Sequence, residues 1–238
     1  MLLAAFSDIH GNNHALEAVL DDIGRHGPDR IVCLGDLVGY GAFPNEVIDR
    51  VRADGIPTLV GNYDDGVGFD RDECGCAYTD PDDIARGDRS LRWTQQTVTH
   101  DNKAWLRALP RELRFDLDGH HLLCVHGSPR RINEYLREDR PERSLRRMFA
   151  DIDADIVLCG HTHLPYHRQI DGIHLINTGT TGRPRDGDTR VGYALITIGD
   201  HIRAEFPRIE YDFEAAARAI EATDLPREFA TTLRTGRY

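Results

Sequence analysis

The sequence predicts an α/β domain in which a mostly parallel sheet is followed by shorter antiparallel strands. Two observations lead to this fold class. Apolar runs alternate with helical patterns over the first sixty residues, as they do when helices connect parallel strands. After His163 the pattern changes to closely spaced short strands. Because 238 residues are enough to bury one sizeable core, we expect a single domain over 1–238.

Five apolar runs predict the strands that carry polar residues at their ends: LLAAFSDIHGN, RIVCLGD, IPTLVGN, HLLCVHG and DIVLCGHTH. Two helices are expected between the first three runs. HALEAVLDDIGRHG places apolar residues on one helical face, and PNEVIDRVRADG begins with proline and ends with glycine. Residues 64–88 are acidic and lack a clear period, so they predict a long loop insertion. Further helices are expected around 88–108 and 142–150.

Four antiparallel strands are expected after His163, in PYHRQIDG, IHLINTG, GYALITIGD and HIRAEFPRIEY, with GTTGRPRDGDTR as a loop among them. Apolar residues at helical spacing then predict a C-terminal helical tail over about 212–238. The chain shows no internal repeat and no linker-like composition, which again favours one domain.

Composition limits the possible functions. A net charge of −11 argues against a protein that binds nucleic acid non-specifically, because such proteins normally carry a basic surface. The apolar run 1–6 is too short for a signal peptide and no run reaches membrane length, so we expect no membrane partner. Five cysteines do not suggest a disulfide framework, and a cytoplasmic location is expected. The oligomeric state stays open, a homo-oligomer included.

The cysteines fall into two kinds. Cys33, Cys124 and Cys159 lie inside apolar runs and are expected in the core. Cys74 and Cys76 form a loop pair in DECGCAY, for which a structural role is favoured over metal or redox chemistry.

Each of the five strand-like runs ends in a residue that can bind a metal, and these residues are Asp8, His10, Asp36, Asn62, His126, His161 and His163. Ligands gather beyond the carboxyl ends of strands in α/β sheets, so we expect these side chains to converge. Nitrogen and oxygen donors without thiolate suit Mn²⁺, Fe or Zn²⁺ better than Ca²⁺. Seven ligands are too many for one such ion and suit two ions that share a carboxylate. Taken singly, each residue could instead be a turn, a helix cap or a core histidine.

The order of the motifs, D-x-H, G-D-x-x-G, G-N-x-D, V-H-G and G-H-T-H, resembles the calcineurin-like metallophosphoesterase superfamily, and above all its small prokaryotic phosphodiesterase-like members. The resemblance covers residues 7–199. It implies a four-layer α-β-β-α sandwich, two transition metals (Mn or Fe, with Zn possible) and a small phosphoester substrate. It also implies that a hydroxide bridging the metals attacks phosphorus in line.

The resemblance also implies which residues hold which metal. Asp8, His10 and His163 would hold one ion. Asn62, His126 and His161 would hold the other, and Asp36 would bridge the two.

Tyr63 departs from the resemblance, because most members of the family have histidine after the motif asparagine, where it is thought to protonate the leaving oxygen. A phenol of ordinary pKa about 10 is a poorer proton donor near pH 7. This favours phosphodiesters, or activated phosphomonoesters, as substrates. Tyr63 could also donate a hydrogen bond to phosphate or merely cover the site. Asp64 matches the acid that partners the family histidine, and it would either orient Tyr63 or cap the turn. Asn62, Tyr63 and Asp64 are therefore the candidate catalytic residues.

Substrate contacts are predicted at Asn12, Arg130 and Arg183, with Arg131 and Arg185 beside the two arginines. A helix cap would explain Asn12 equally well, and an ion-paired loop would explain Arg130. The function that we expect is a dinuclear metal-dependent phosphodiesterase. The alternatives are a serine/threonine-type protein phosphatase and a non-catalytic metal-binding scaffold on the same fold.

Overall fold

The computed structural model describes residues 1–237. Its strands are β1 (Leu2–Phe6), β2 (Arg30–Cys33), β3 (Glu112–Leu117), β4 (His120–Val125), β5 (Ile156–Cys159), β6 (Tyr166–Ile170), β7 (Ile173–Asn177), β8 (Val191–Gly192), β9 (Ala194–Thr197), β10 (Arg203–Glu205) and β11 (Arg208–Ile209). Its helices are α1 (Asn13–His26), α2 (Pro44–Ala53), α3 (Asn62–Gly68), α4 (Pro81–Thr97), α5 (His100–Ala108), α6 (Glu142–Phe149), α7 (Phe213–Glu221) and α8 (Glu228–Thr235).

The strands form two mixed sheets and a short ribbon. The first sheet has the order β10-β9-β1-β2, in which only β1 and β2 are parallel. The second has the order β3-β4-β5-β7-β6, with a parallel centre formed by β4, β5 and β7 and antiparallel edges. β8 and β11 pair separately.

Three apolar cores separate successive layers of the fold. Side chains of both sheets meet in one core, which includes Leu3 from β1 and Leu158 from β5. The other face of the first sheet packs against most of the helices, with Leu16 of α1 and Phe229 of α8 in that core. The other face of the second sheet packs against α6 through Leu145. The mixed α/β architecture, with helices flanking the sheets, agrees with the predicted fold class.

The prediction of a mostly parallel sheet holds only for part of the fold, because each of the two sheets combines parallel and antiparallel strands. β1 and β2 belong to one sheet, whereas β4 and β5 belong to the other. The run IPTLVGN forms no strand, and Thr58 makes only a single bridge to Cys33. β3 was not predicted, because its residues alternate between exposed and partly buried positions at a sheet edge and lack an apolar run.

The prediction of a loop over 64–88 was wrong at both ends of that range. α3 ends at Gly68 and α4 begins at Pro81, so only residues 69–80 are irregular. α4 begins as helices commonly do, since the Asp80 side chain accepts the N–H groups of Asp82 and Asp83 and Pro81 follows the cap. α3 contains two glycines and is stabilised by tertiary contacts that its composition does not show.

The predicted C-terminal helical tail is present as α7 and α8, which pack against α1 and the first sheet. No helix within the described part of the chain combines the length and the apolar character that crossing a membrane requires.

Candidate metal centre

The seven predicted ligands lie together at one end of the two sheets. Asp8 and His10 follow β1, Asp36 follows β2, His126 follows β4, and His161 and His163 follow β5. Their potential ligand atoms form two groups in which all atoms lie within 4.8 Å of one another. The first group contains Asp8, His10 and His163, and the second contains Asp36, His126 and His161. All six side chains are buried.

Asp36 connects the two groups. Its Oδ2 atom lies 3.4 Å from Nε2 of His126 in the second group and 3.8 Å from Nε2 of His10 in the first. The other oxygen, Oδ1, accepts the backbone N–H of Tyr63 at 2.8 Å. One carboxylate oxygen is therefore fixed by the protein while the other faces both groups, as a bridging ligand requires.

Backbone carbonyls fix three of the histidine rings. Nδ1 of His10 lies 3.0 Å from the carbonyl of Val38, and Nδ1 of His126 lies 2.8 Å from that of Leu34. Nδ1 of His163 lies 2.8 Å from the backbone carbonyl of Arg183. When Nδ1 carries the proton for these bonds, Nε2 is the unprotonated nitrogen that a metal needs.

His161 is oriented the other way. Its Nε2 atom lies 3.2 Å from the carbonyl of Asn133, so Nδ1 is the nitrogen left for a ligand bond. Its ring also lies 4.0 Å, centre to centre, from the ring of Tyr135. Two different ring nitrogens therefore serve the same metal group.

Asp8 is held through one oxygen only. Oδ2 accepts the Ser7 hydroxyl at 2.5 Å and the backbone N–H of His161 at 2.9 Å. Oδ1 is buried without a hydrogen-bond partner and lies 3.4 Å from Nε2 of His163. A buried carboxylate oxygen without a partner is costly, and a metal ion would remove that cost. The donor set and this oxygen both fit a bound metal.

Asn62 completes the second group. Its Oδ1 atom lies 3.0 Å from Nε2 of His126, while Nδ2 donates to the carbonyl of Cys74 at 3.1 Å. Since the nitrogen is occupied, the oxygen of the carboxamide is the atom turned toward the metal position.

The backbone at the site is unusual. Five of the seven candidate ligands have positive φ angles, from 51° to 65°: Asp8, His10, Asp36, His161 and His163. Residues other than glycine pay for this left-handed conformation, by about 1–3 kcal/mol each where the surroundings impose it. Such strain persists where tertiary contacts maintain it, and it is common at functional sites.

Burial and charge act strongly on the protonation of these groups. Burial alone would raise the pKa of Asp8, but the neighbouring histidines outweigh it and hold that pKa well below its usual range. Burial lowers the pKa of His10 to about 3 and that of His161 to about 4. Burial would also lower the pKa of His126, but the Asp36 carboxylate raises it to about 10. Most groups thus favour the protonation state that binds metal, whereas a proton competes at His126.

The burial of Tyr63 and the hydrogen-bond partners of Asp64 could not be predicted from their motif. Tyr63 is fully buried, and its ring packs edge-on against the ring of His10 at 5.6 Å. Burial raises the pKa of its phenol well above the ordinary value, with Cys74 among the further causes. Asp64 does not bind the Tyr63 hydroxyl. Its carboxylate accepts the backbone N–H groups of Asp36 at 2.7 Å and Gly61 at 2.9 Å, so of the two roles considered it has the turn-capping one.

Of the three residues predicted to contact the substrate, only Arg183 lies at the cavity beside the candidate metal ligands. Arg183 is buried and lines a cavity together with His10, Asp36, His161 and His163. Its guanidinium carbon lies 3.8 Å from the centre of the Tyr40 ring. Arg185 and Tyr135 line the same cavity.

Arg130 and Asn12 have other partners. Arg130 is 54% exposed and forms an ion pair with Glu134. The Asn12 carboxamide caps α1 by accepting the N–H of Ala15 at 3.2 Å, and it donates to the carbonyl of Gly182 at 2.9 Å. For both residues the geometry corresponds to the structural alternative rather than to a substrate contact.

Sequence reasoning missed several residues of the site. Ser7 orients Asp8, and Tyr40 and Tyr135 form aromatic walls beside the histidines. Ser7 directly precedes a candidate ligand, which was the available signal. Nothing in the local sequence marks the two tyrosines, because they reach the site only through the fold.

Comparison with known proteins agrees with this geometry. Residues 1–201 match the family model of the calcineurin-like phosphoesterase superfamily domain. An uncharacterized protein of Methanocaldococcus jannaschii is 32% identical over 254 aligned residues, which cover 99% of this chain and 98% of that protein. A probable metallophosphoesterase of Methanothermobacter thermautotrophicus is 30% identical over 99 residues, or 42% of this chain and 53% of that protein.

Solved structures show the same similarity. A metallophosphoesterase from Sphaerobacter thermophilus is 31% identical and superposes with a TM-score of 0.79 over 99% of both chains. A hypothetical protein from Pyrococcus horikoshii has the same fold, with a TM-score of 0.84 over 99% of this chain and 98% of that one at 22% identity. The family model matches most of the chain, so the protein belongs to the calcineurin-like phosphoesterase superfamily.

Proposed function

We propose that the protein is a dinuclear metal-dependent phosphoesterase that prefers phosphodiesters or activated phosphomonoesters. The observation that carries the proposal is the position of Asp36 Oδ2, within 3.8 Å of a histidine in each of the two metal-binding groups. When bound, two transition metals polarise a phosphoester and lower the pKa of an attacking water molecule. Mn and Fe suit the nitrogen and oxygen donors, and Zn is the alternative.

The residues of the chain then have separate tasks. Asp36 and the histidines would hold the metals. Hydrogen bonds to backbone carbonyls fix the rings of His10 and His126 in position before any substrate binds. Arg183, which lines the cavity beside the ligands, would bind a phosphate oxygen of the substrate. The ligands are buried, so the charge interactions among them are screened less by solvent than they would be at the surface.

The preference for diesters follows from the absence of a good acid at Tyr63. Hydrolysis of a monoester with a poor leaving group benefits most from a proton donor. The Tyr63 phenol is buried with a raised pKa, and the Asp64 carboxylate is directed at backbone N–H groups.

The test is turnover after Mn²⁺ loading, with a nitrophenyl phosphodiester compared with the matching monoester. We expect metal-dependent turnover of both and a higher kcat/KM for the diester. Metal analysis of the same sample should give two equivalents per chain. Two bound metals without turnover of either ester would instead favour a metal-binding scaffold.

Substitution of Tyr63 tests the argument about the proton donor. A general acid contributes roughly 100- to 10,000-fold to the rate. Because we expect that the buried phenol does not act as this acid, Tyr63→Phe should lose less than about tenfold in diester turnover. We expect Tyr63→His to raise monoester turnover relative to diester turnover, because imidazolium is the better acid near pH 7. Both variants should keep their metal content. A loss of 100-fold or more in Tyr63→Phe would make the phenol an essential acid.

Arg183 and Arg130 form a matched pair for testing substrate binding. We expect Arg183→Gln to raise KM for the diester by roughly 10- to 100-fold, because a charged hydrogen bond contributes about 1.5–3 kcal/mol. Arg130→Gln removes an exposed ion pair and should change KM less than about twofold. Equal effects of the two substitutions, measured at unchanged metal content, would contradict the assignment of Arg183 to phosphate binding.

A further inference from the structure

The loop between α3 and α4 brings two thiols together beside the metal centre. The Sγ atoms of Cys74 and Cys76 lie 3.2 Å apart, and both cysteines are free and partly buried. Gly75 makes this possible because its φ angle is +71°, a conformation that side chains disfavour. A Cβ atom on Gly75 would also lie 2.4 Å from Nδ2 of Asn133.

The turn orients a candidate metal ligand directly. Nδ2 of Asn62 donates to the carbonyl of Cys74 at 3.1 Å and lies 3.5 Å from Sγ of Cys76. These two contacts occupy the nitrogen of the carboxamide, which leaves Oδ1 near His126. The positions of the two cysteines therefore determine which atom of Asn62 faces the metal.

A second chain of contacts reaches the same metal group. Asn133 donates from Nδ2 to the carbonyl of Gly75 at 3.0 Å, and its own carbonyl lies 3.2 Å from Nε2 of His161. Cys76 and His161 also line one cavity with Asp36. The turn thus reaches the group of Asp36, His126 and His161 by two indirect routes, through Asn62 and through Asn133. Neither route involves Asp8 or His163.

We propose that Cys74 and Cys76 are a redox-active pair whose disulfide reversibly weakens metal binding by Asn62 and His161. The oxidant is a small-molecule disulfide such as glutathione disulfide. The consequence for catalysis rests on the proposed phosphoesterase function, whereas the disulfide and its effect on metal binding do not.

The reaction is two successive exchanges. The thiolate of one cysteine attacks the oxidant, forms a mixed disulfide and releases one small thiol. The second cysteine attacks the protein sulfur of that mixed disulfide and expels the second small thiol. The two protein thiols lose two electrons, the oxidant is reduced to two thiols, and the protons of the protein thiols pass to them.

Formation of the bond must move the turn. A disulfide requires the two sulfurs to be about 2.05 Å apart, so they must approach by roughly 1 Å. Once it is part of a disulfide, Sγ of Cys76 is no longer the thiol or thiolate sulfur that accepts a hydrogen bond from Nδ2 of Asn62. Loss of contacts that orient a metal ligand typically weakens metal binding roughly 10- to 100-fold.

The three remaining cysteines provide an internal control. Cys33, Cys124 and Cys159 are fully buried in the apolar cores. Burial raises the pKa of each thiol. We expect them to remain unmodified under conditions that oxidise the loop pair.

The experiment treats the Mn²⁺-loaded protein with glutathione disulfide, alkylates the remaining thiols and measures peptide masses and bound Mn²⁺. We expect one peptide containing residues 74 and 76 to lose two hydrogens. One of two metal equivalents should be released, and a thiol reductant followed by Mn²⁺ should restore it. Cys74→Ser and Cys76→Ser should keep both equivalents after the same treatment.

Two results would overturn the proposal: a mixed disulfide that never closes, or a closed disulfide that leaves both metal equivalents tightly bound. Equal release of Mn²⁺ from wild type and from Cys76→Ser would do so as well. A disulfide that releases metal from a protein without turnover would contradict the phosphoesterase function alone. Turnover insensitive to the oxidant would contradict the redox pair alone.

Discussion

We expect Asp36→Asn to lose at least about 100-fold in Mn²⁺-dependent phosphodiester turnover and to release bound metal. Loss of a residue that only orients a metal ligand typically lowers metal affinity or activity by roughly 10- to 100-fold. We expect at least the upper end of that range here, because Asp36 is itself a candidate ligand of both metals. An amide nitrogen in place of Oδ2 carries no lone pair for a metal. The oxygen that remains can still accept the N–H of Tyr63, so the loop itself should keep its position.

The same substitution should leave the metal-free protein folded. Asp36 is buried between Asp64, which repels its carboxylate, and His126, whose pKa the carboxylate raises. A neutral side chain removes both interactions, and the attraction to His126 is the larger one because the pKa of Asp36 is lowered in the folded protein. We therefore expect a small decrease in the Tm of the metal-free variant, and a smaller rise of Tm on addition of Mn²⁺ than in wild type.

Asp116→Asn is the matched control. Asp116 is 74% exposed on β3 and pairs with His121 at the surface. The same chemical change at that position should alter turnover and metal content by less than about twofold. If Asp36→Asn kept both metal equivalents and wild-type turnover, the hypothesis that Asp36 bridges two catalytic metals would be wrong.

The sequence was sufficient to predict which candidate metal ligands meet at the site, because each one ends a strand-like run. The local pattern of Asp8-x-His10 or His161-x-His163 is visible without a structure. Their convergence follows from the general behaviour of strand ends in α/β folds. The division of those runs between two sheets was not predictable, since a strand's neighbours depend on pairing at long range.

The details that make the site work were also invisible in the sequence. Carbonyls of Val38 and Leu34 orient the rings of His10 and His126, and any residue type can supply a carbonyl. The left-handed backbone of the ligands was not visible either, although aspartate and histidine adopt that conformation more often than most residues other than glycine. The role of Asp64 depends on backbone N–H groups 26 to 28 residues earlier in the chain.

Gly61 shows how closely the ligand-bearing loops approach, and we expect Gly61→Ala to destabilise the protein and to impair metal binding. A Cβ atom at this position would lie 2.1 Å from Oδ1 and 2.2 Å from the backbone nitrogen of Asp36. Both atoms are already engaged, Oδ1 by the N–H of Tyr63 and the nitrogen by the carboxylate of Asp64. The methyl group can be accommodated only if the two loops separate.

The expected cost is that of overpacking, about 1–3 kcal/mol. For a chain of this size it lowers Tm by roughly 2–12 °C. The φ angle of Gly61 is −88°, so the cost is steric and does not arise from the backbone conformation. Because separation of the loops displaces Asp36 and Asn62 together, we expect the variant to bind fewer than two metals even well below its Tm.

Gly24→Ala makes the same chemical change with the opposite expected sign. Gly24 lies in α1, its added Cβ would meet no atom within 4 Å, and alanine is the better helix former by about 0.5–1 kcal/mol. Thermal unfolding of both variants, with metal analysis, separates the two effects. A Gly61→Ala protein as stable as Gly24→Ala and with both metals bound would mean that the loops carrying Asp36 and Asn62 can move apart without loss. The bridging geometry would then be one of several arrangements of the site, and its strain would not be needed for metal binding.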